Sequence, residues 1–113
     1  MKLRLLHNSV RLRVGRSEVA SFLDSGMVED SVDFPSMPLV YILNSSDEIK
    51  EIQASFTNGW ITVNVPQEQG RIWAEGDQVG MQNQYRGISI LIEKDWECLQ
   101  PSAEENSDAF PRP

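Results

Sequence analysis

The residues with the clearest chemical potential are the bases at the start of the chain. Residues 1–16 hold five of the ten Lys and Arg residues and no Asp or Glu. Clustered guanidinium and ammonium groups bind phosphates or carboxylates through charge-assisted hydrogen bonds. The sequence therefore predicts a surface site for an anion. The predicted surface-binding residues are Lys2, Arg4, His7, Arg11, Arg13 and Arg16.

No other group of residues predicts catalysis or a metal site. His7 is the only histidine and Cys98 the only cysteine, so the sequence places no partner for a nucleophile or a metal beside either. The acids near the C-terminus lack the repeated Asp and Gly spacing of a calcium loop, and the glycines form no phosphate loop. These acids are Asp95, Glu97, Glu104, Glu105 and Asp108. We expect a protein that is not an enzyme, with no catalytic residue, metal or cofactor.

Length and composition are typical of one globular domain. The chain has 113 residues, of which 40% are hydrophobic and 24% charged. Its net charge of -7 argues against a polyanion-binding surface that covers the whole molecule. No apolar run reaches the roughly 18 residues of a membrane span, and one cysteine excludes an internal disulfide framework. We expect a cytoplasmic protein that has no membrane contact.

Hydrophobic alternation predicts that most of the first half forms β-strands. Apolar and basic residues alternate on both sides of the polar turn at residues 7–9, which indicates a hairpin with its bases outward. Ser17 has the properties of a helix N-cap and precedes apolar residues at helical spacing. Two more strands are predicted near residues 28–34 and 39–43.

The second half has the same order of patterns. An offset of 51 residues aligns the two halves without a gap and places Leu12 on Val63, Phe22 on Trp73 and Val28 on Val79. We infer two internal repeats, a single domain and an acidic, Pro-rich tail. The repeats are residues 1–44 and 52–95, the domain is 1–99 and the tail is 100–113. In the second repeat we expect strands near 51–56, 61–65, 78–82 and 87–93, and a helix over Gln67 to Glu75.

Two tandem β-β-α-β-β units predict a mainly β fold. Eight strands with only two short helices can cover their apolar faces by closing into an antiparallel barrel with pseudo-twofold symmetry, which also removes exposed strand edges. An eight-stranded barrel is either filled by its side chains or wide enough for one small ligand. A solid core is the favoured alternative.

Each half resembles the swapped-hairpin unit of AbrB/MazE-type regulators. In those proteins a strand, a proline, a short helix and a Gly-Asp-x-Val motif precede a hairpin, and Val65-Pro66 and residues 75–81 (Glu-Gly-Asp-Gln-Val-Gly-Met) are similar to this order. Residues 7–14 (His-Asn-Ser-Val-Arg-Leu-Arg-Val) are similar to the unit's Gly-Asn-Ser and its arginine-bearing strand. The resemblance implies that hairpins are exchanged, so that one chain with two units is an internal pseudo-dimer.

The chain departs from this pattern in both units. Gly15 stands where the first unit has its proline, and Thr62 and Asn64 stand where the second unit has its basic strand. Only one of the paired basic strands that the resemblance implies for DNA contact is therefore present. The whole chain, including residues 92–99 and 108–113, also resembles a small uncharacterised bacterial family, a domain of unknown function, which implies no activity.

These observations favour a non-catalytic binding or regulatory module that uses the basic hairpin. Like charges on adjacent strands require an anionic counterpart. That counterpart is supplied by acids of the same chain, by carboxylates of a partner protein or by phosphates of a nucleic acid, and a protein is the favoured external partner. The alternative function is a calycin-like barrel that carries a small apolar ligand. The tail is expected either to be disordered or to dock through Trp96, Leu99 and Phe110.

Overall fold

The computed structural model describes residues 1–96, which form eight strands and two helices. Their order is strand-strand-helix-strand-strand in each half of the chain. The first half contains β1 (Lys2–Leu6), β2 (Ser9–Val14), α1 (Arg16–Ser25), β3 (Met27–Asp33) and β4 (Pro38–Ser46). The second contains β5 (Gln53–Thr57), β6 (Trp60–Pro66), α2 (Gln67–Glu75), β7 (Gly80–Tyr85) and β8 (Ile88–Lys94). The predicted boundary between a domain and a tail lies outside the described residues.

The strands form two four-stranded sheets, so the prediction of a closed barrel is wrong. The first sheet has the order β1-β2-β8-β7 and the second has the order β3-β4-β6-β5. Within residues 1–96, no ladder joins an edge of one sheet to an edge of the other. The apolar faces are buried between the sheets and under the helices, and this burial does not require closure. The mainly β class is confirmed.

Each sheet combines one hairpin from each half of the chain. Strand β2 pairs in parallel with β8, and β4 pairs in parallel with β6. The remaining neighbours in both sheets are antiparallel hairpin partners. The core consequently forms where the halves meet: Leu12 lies beside Ile92, and Leu43 lies beside Val63, and all four side chains are fully buried.

The gapless offset of 51 residues fails in the second hairpin of each half. In β3 and β4 the buried pair is Val28 with Leu43, whereas in β7 and β8 it is Met81 with Ile92. The segment after α2 is two residues longer than its counterpart, and the β7–β8 hairpin is four residues shorter. Val79, which the gapless alignment makes equivalent to the buried Val28, is 47% exposed and precedes β7.

The two helices meet through the aromatic pair that the sequence predicted to be equivalent. Phe22 of α1 and Trp73 of α2 are both buried, and their ring centroids lie 5.9 Å apart at an interplanar angle of 76°. Such edge-to-face contacts are favourable for aromatic rings. Helix α1 begins at Arg16 with Gly15 at its N-cap, so the prediction of Ser17 at that position is wrong. The Gly15 N–H donates to the Glu18 carboxylate at 2.8 Å.

Gly70 allows α2 to approach α1 closely. A Cβ atom at this position would lie 2.9 Å from Cζ of Phe22 and 3.4 Å from Cγ1 of Val65. Both neighbours are buried, so neither side chain can move into solvent. Glycine has a low helix propensity. It stands at the centre of this helix because the close packing leaves no room for a side chain.

We expect Gly70→Ala to destabilise the protein by about 1–3 kcal/mol, because the added methyl group overpacks the contact with Phe22. Urea unfolding of the variant measures this loss. The matched control is Gln69→Ala, one residue earlier and exposed, which we expect to stay within about 0.5 kcal/mol of the parent. A variant at position 70 that is more stable than the parent, as helix propensity alone favours, contradicts this packing account.

Candidate functional site

The outward side of the first sheet brings four of the predicted bases together, and we call this surface the basic face. Strand alternation directs Leu12 and Val14 into the core and places Arg11 and Arg13 on the opposite side. In the β1–β2 ladder, Arg4 lies opposite Arg11, and Lys2 lies opposite Arg13. The basic face therefore consists of Lys2, Arg4, Arg11 and Arg13.

Acids at the end of β8 neutralise part of the basic face. Glu93 is the neighbour of Arg13 in the parallel ladder, and its Oε1 atom lies 2.8 Å from Nε of Arg13 and 3.7 Å from Nε of Arg11. Just after β8, Oδ2 of Asp95 lies 3.0 Å from Nζ of Lys2. Two carboxylates of the same chain thus serve three of the four bases.

Arg4 is the base of this face that these carboxylates do not reach. It is exposed at the edge of the sheet, directly opposite Arg11. Within residues 1–96, no carboxylate lies within ion-pair distance of its guanidinium group. Like charges on paired strands repel each other. An external anion bound at Arg4 would therefore provide the largest electrostatic stabilisation on this face.

A shallow polar groove of about 500 Å³ adjoins Arg11 on the same sheet. Within this groove, the side-chain amide of Gln84 donates to the Ser89 hydroxyl at 2.6 Å. Amide and hydroxyl groups in such a groove can donate to and accept from a peptide backbone. The groove-lining residues on the outward side are Ser9, Arg11, Gln82, Gln84, Ser89 and Leu91.

His7 and Arg16 do not share the strand surface of the basic face. His7 is exposed in the β1–β2 turn with a positive φ of 51°. Arg16 opens α1 and lines a separate cleft of about 880 Å³ between the helices and the end of β8. Trp96, expected to dock the tail, is 41% exposed and lines this same cleft.

The other two residues expected to dock the tail, Leu99 and Phe110, lie outside the described residues, as does Cys98. In the described part of the chain, no cluster of three or more His, Cys, Asp or Glu side chains is arranged to hold a metal ion. No helix in residues 1–96 has the length and apolar character needed to cross a membrane.

A cluster around the N-terminal amine attaches β1 to the second sheet and so fixes the edge that carries Lys2 and Arg4. The Met1 ammonium donates to Glu18 of α1 and, at 3.2 Å, to Asp30 of β3. The Tyr41 hydroxyl of β4 donates to the Met1 carbonyl at 2.8 Å. The start of β1 is therefore held by contacts to both helix α1 and the opposite sheet.

The ionisable groups of this cluster respond to their surroundings in different directions. Burial lowers the pKa of the Met1 ammonium, but its hydrogen bonds to Glu18 and Asp30 outweigh burial and raise this pKa above its usual value. A hydrogen bond from the Ser31 N–H, followed by one from the amine, lowers the pKa of Asp30. Burial raises the pKa of Tyr41. Near neutral pH these directions favour the ammonium and carboxylate forms that attract each other.

The pairing of hairpins from different halves of the chain separates charge by sheet, which the alternation pattern of the sequence does not predict. The strands of the first sheet carry five bases and one acid. The strands of the second sheet carry three acids and no base, and all three acids are in β3. A count of charges by strand identifies this difference once the pairing of hairpins is known.

One protein family matches the chain over its whole length. The model of a family of unknown function, DUF7009, matches residues 1–113. The chain belongs to this family. Membership in DUF7009 confirms the resemblance to a domain of unknown function, and the family description assigns no activity. No curated protein and no solved structure matches the chain significantly.

We expect Glu93→Gln to destabilise the protein by about 1–2 kcal/mol, because it removes the charge that Arg11 and Arg13 share in a partly buried position. Urea unfolding at low and high salt measures the loss, which should shrink as salt screens the repulsion. Glu68→Gln is the matched control, since it breaks a fully exposed pair with Arg71 on α2 and should cost clearly less. Equal losses in the two variants contradict the role given to Glu93.

Proposed function

We propose that this protein is a non-catalytic binding module whose basic face takes a carboxylate-bearing segment of a partner protein. The observation that carries the proposal is the exposed Arg4, held opposite Arg11 and unpaired with any carboxylate in residues 1–96. A carboxylate placed between these guanidinium groups relieves their repulsion and accepts charge-assisted hydrogen bonds. With a single cysteine and no internal disulfide, the cytoplasm is the proposed location.

The surroundings of the basic face favour a short acidic segment over a nucleic acid. Glu93 and Asp95 already compete for its bases, and the net charge of -7 repels a long polyanion. The strands β1, β2 and β8 carry no aromatic side chain, whereas single-stranded nucleic acids commonly stack on aromatic residues. The polar groove beside Arg11 instead suits the backbone of an extended peptide.

The topology of the two sheets supports the resemblance to AbrB/MazE-type regulators. We infer that the two halves are related to swapped-hairpin units, and the support is that each sheet joins the first hairpin of one half to the second hairpin of the other. Symmetric DNA contact has less support. Thr62 and Asn64 of β6 occupy the positions equivalent to Arg11 and Arg13 of β2, so the equivalent surface has no bases.

The alternative of a small apolar ligand in a hollow barrel has less support. The sheets do not close into a barrel, and many apolar side chains are fully buried. The fully buried side chains are Leu12, Val14, Leu43, Ile52, Val63, Val65, Trp73, Ile90 and Ile92. We therefore propose recognition on the surface of the first sheet and not in its interior.

Fluorescence anisotropy with a labelled glutamate-rich peptide, at about 20 mM salt where screening is weak, tests this function. We expect binding that weakens steeply with salt, and a loss of roughly tenfold or more in affinity for Arg4→Ala combined with Arg11→Ala, equivalent to at least about 1.4 kcal/mol. The matched control is Arg71→Ala, which removes an exposed guanidinium group from α2 and should leave affinity unchanged.

A labelled duplex DNA of similar charge forms the second arm of this experiment. If the duplex binds and the peptide does not, the basic face is a nucleic-acid-binding surface, and the proposal of a protein partner is wrong. Failure of both probes to bind at low salt contradicts an anion-binding role altogether, since electrostatic attraction is strongest under those conditions.

A further inference from the structure

The edge strand β5 is a surface that the proposed function does not use. It has a ladder on one side, with β6, and is the last strand of the second sheet. A two-residue turn places Thr57 opposite Trp60, and hydrogen-bonded and non-hydrogen-bonded pairs alternate from that point. The backbone N–H and C=O groups of Ala54 and Phe56 consequently face the open edge.

The four edge strands differ in their protection against pairing with another strand. Strand β1 carries Lys2 and Arg4, and β3 carries three acids, so self-pairing of either strand places like charges opposite each other. Strand β7 is uncharged, and the side-chain amide of Asn83 donates to the carbonyl of Ile52, just before β5, at 2.9 Å. Residues 53–57 (Gln-Ala-Ser-Phe-Thr) have neither charge nor proline. Of these two uncharged edges, β5 is the one that carries an exposed large apolar side chain, Phe56. It is thus the edge best suited to pair with itself.

The apolar surface next to β5 also lacks a partner within residues 1–96. Phe56 is 68% exposed, the highest value among the large apolar side chains described. It borders an apolar groove of about 530 Å³ that Phe34, Met37 and Pro38 also line. Gly59 in the β5–β6 turn has a φ of 83°, and a Cβ atom there would lie 2.9 Å from Sδ of Met37. The turn and the 34–37 loop are therefore packed closely, and the groove is already formed.

We propose that β5 pairs antiparallel with β5 of a second copy of this chain, across a twofold axis at Ser55. The pairing makes one continuous eight-stranded sheet from the two second sheets, and it is a closed, self-complementary contact. Each Phe56 then lies opposite the partner's Ala54, and these two residues exchange the backbone hydrogen bonds that face the open edge. Both Phe56 rings become covered next to the Phe34 and Met37 side chains.

This interface has properties that separate it from binding at the basic face. The second sheet carries no Lys or Arg, and its acids are all in β3, at the opposite edge from β5. Self-association through backbone hydrogen bonds and apolar contacts should therefore persist at high salt, whereas anion binding should not. A failure of one proposal leaves the other intact.

Sedimentation equilibrium of the full chain over a range of concentrations tests the proposal. We expect a monomer–dimer equilibrium, which Ser55→Lys weakens roughly tenfold or more, because it places two ammonium groups opposite each other at the axis. The matched control is Ser31→Lys, the same substitution at an exposed position on β3, the other edge of this sheet. This control and Arg4→Ala should both dimerise as the parent does.

Amide hydrogen exchange of the parent chain is a second measurement, which does not depend on the folding of a variant. In the parent chain, the amides of Ala54 and Phe56 should exchange with solvent more slowly as protein concentration rises, whereas those of β1 should not change. Phe56→Ser should weaken association while leaving the β5–β6 ladder in place. A parent chain that stays monomeric at concentrations on the order of 1 mM, or a dimer that Ser31→Lys and Ser55→Lys affect equally, overturns the proposal.

Discussion

The parallel pairing of β2 with β8, and of β4 with β6, is the constraint on which the other features of this fold depend. Parallel neighbours cannot be joined by a tight turn, so each such pair must bring together two separate hairpins. In this chain the two hairpins come from different halves. Neither half can bury its apolar strand faces without the other, because Leu12 packs beside Ile92 and Leu43 beside Val63. The two halves of the chain therefore form one core.

The same pairing decides where charge is displayed. The basic hairpin of the first half joins a hairpin whose only acid on a strand is Glu93, and the acidic strand β3 joins an uncharged hairpin. Consequently, the strands of one sheet are mainly basic, whereas those of the other are uncharged except for the acidic edge strand β3. The net charge of the whole chain is negative. Surface charge on one sheet favours recognition of anions, while the uncharged edge β5 of the other sheet favours contact with another strand.

The sequence predicts the local elements well because those depend on local patterns. The strands around the His7-Asn8 and Asn58-Gly59 turns, and helix α2 from Gln67 to Glu75, are confirmed. The predicted equivalence of Phe22 and Trp73 agrees with their contact in the core. These predictions rest on hydrophobic periodicity, which is determined by which face of each element is buried.

Features that depend on long-range pairing do not follow from the local sequence pattern. Alternation alone does not distinguish a closed barrel from two sheets, because both bury the same faces. A gapless alignment does not include the length differences around β7, so it makes Val79 equivalent to Val28 in place of Met81. The partner of Arg13 was also not apparent, since Glu93 is 80 residues away and becomes its neighbour only when β2 and β8 pair.

The central claim is that the pairing of β2 with β8 builds a single anion-binding surface from strands far apart in the chain. Chemical-shift mapping of the backbone amides during titration with a glutamate-rich peptide tests it most directly. The account predicts perturbations on β1, β2 and β8 together, centred on Arg4 and Arg11, with β5 and β6 unaffected. Perturbations confined to the β1–β2 hairpin without β8, or located on the second sheet, would contradict it.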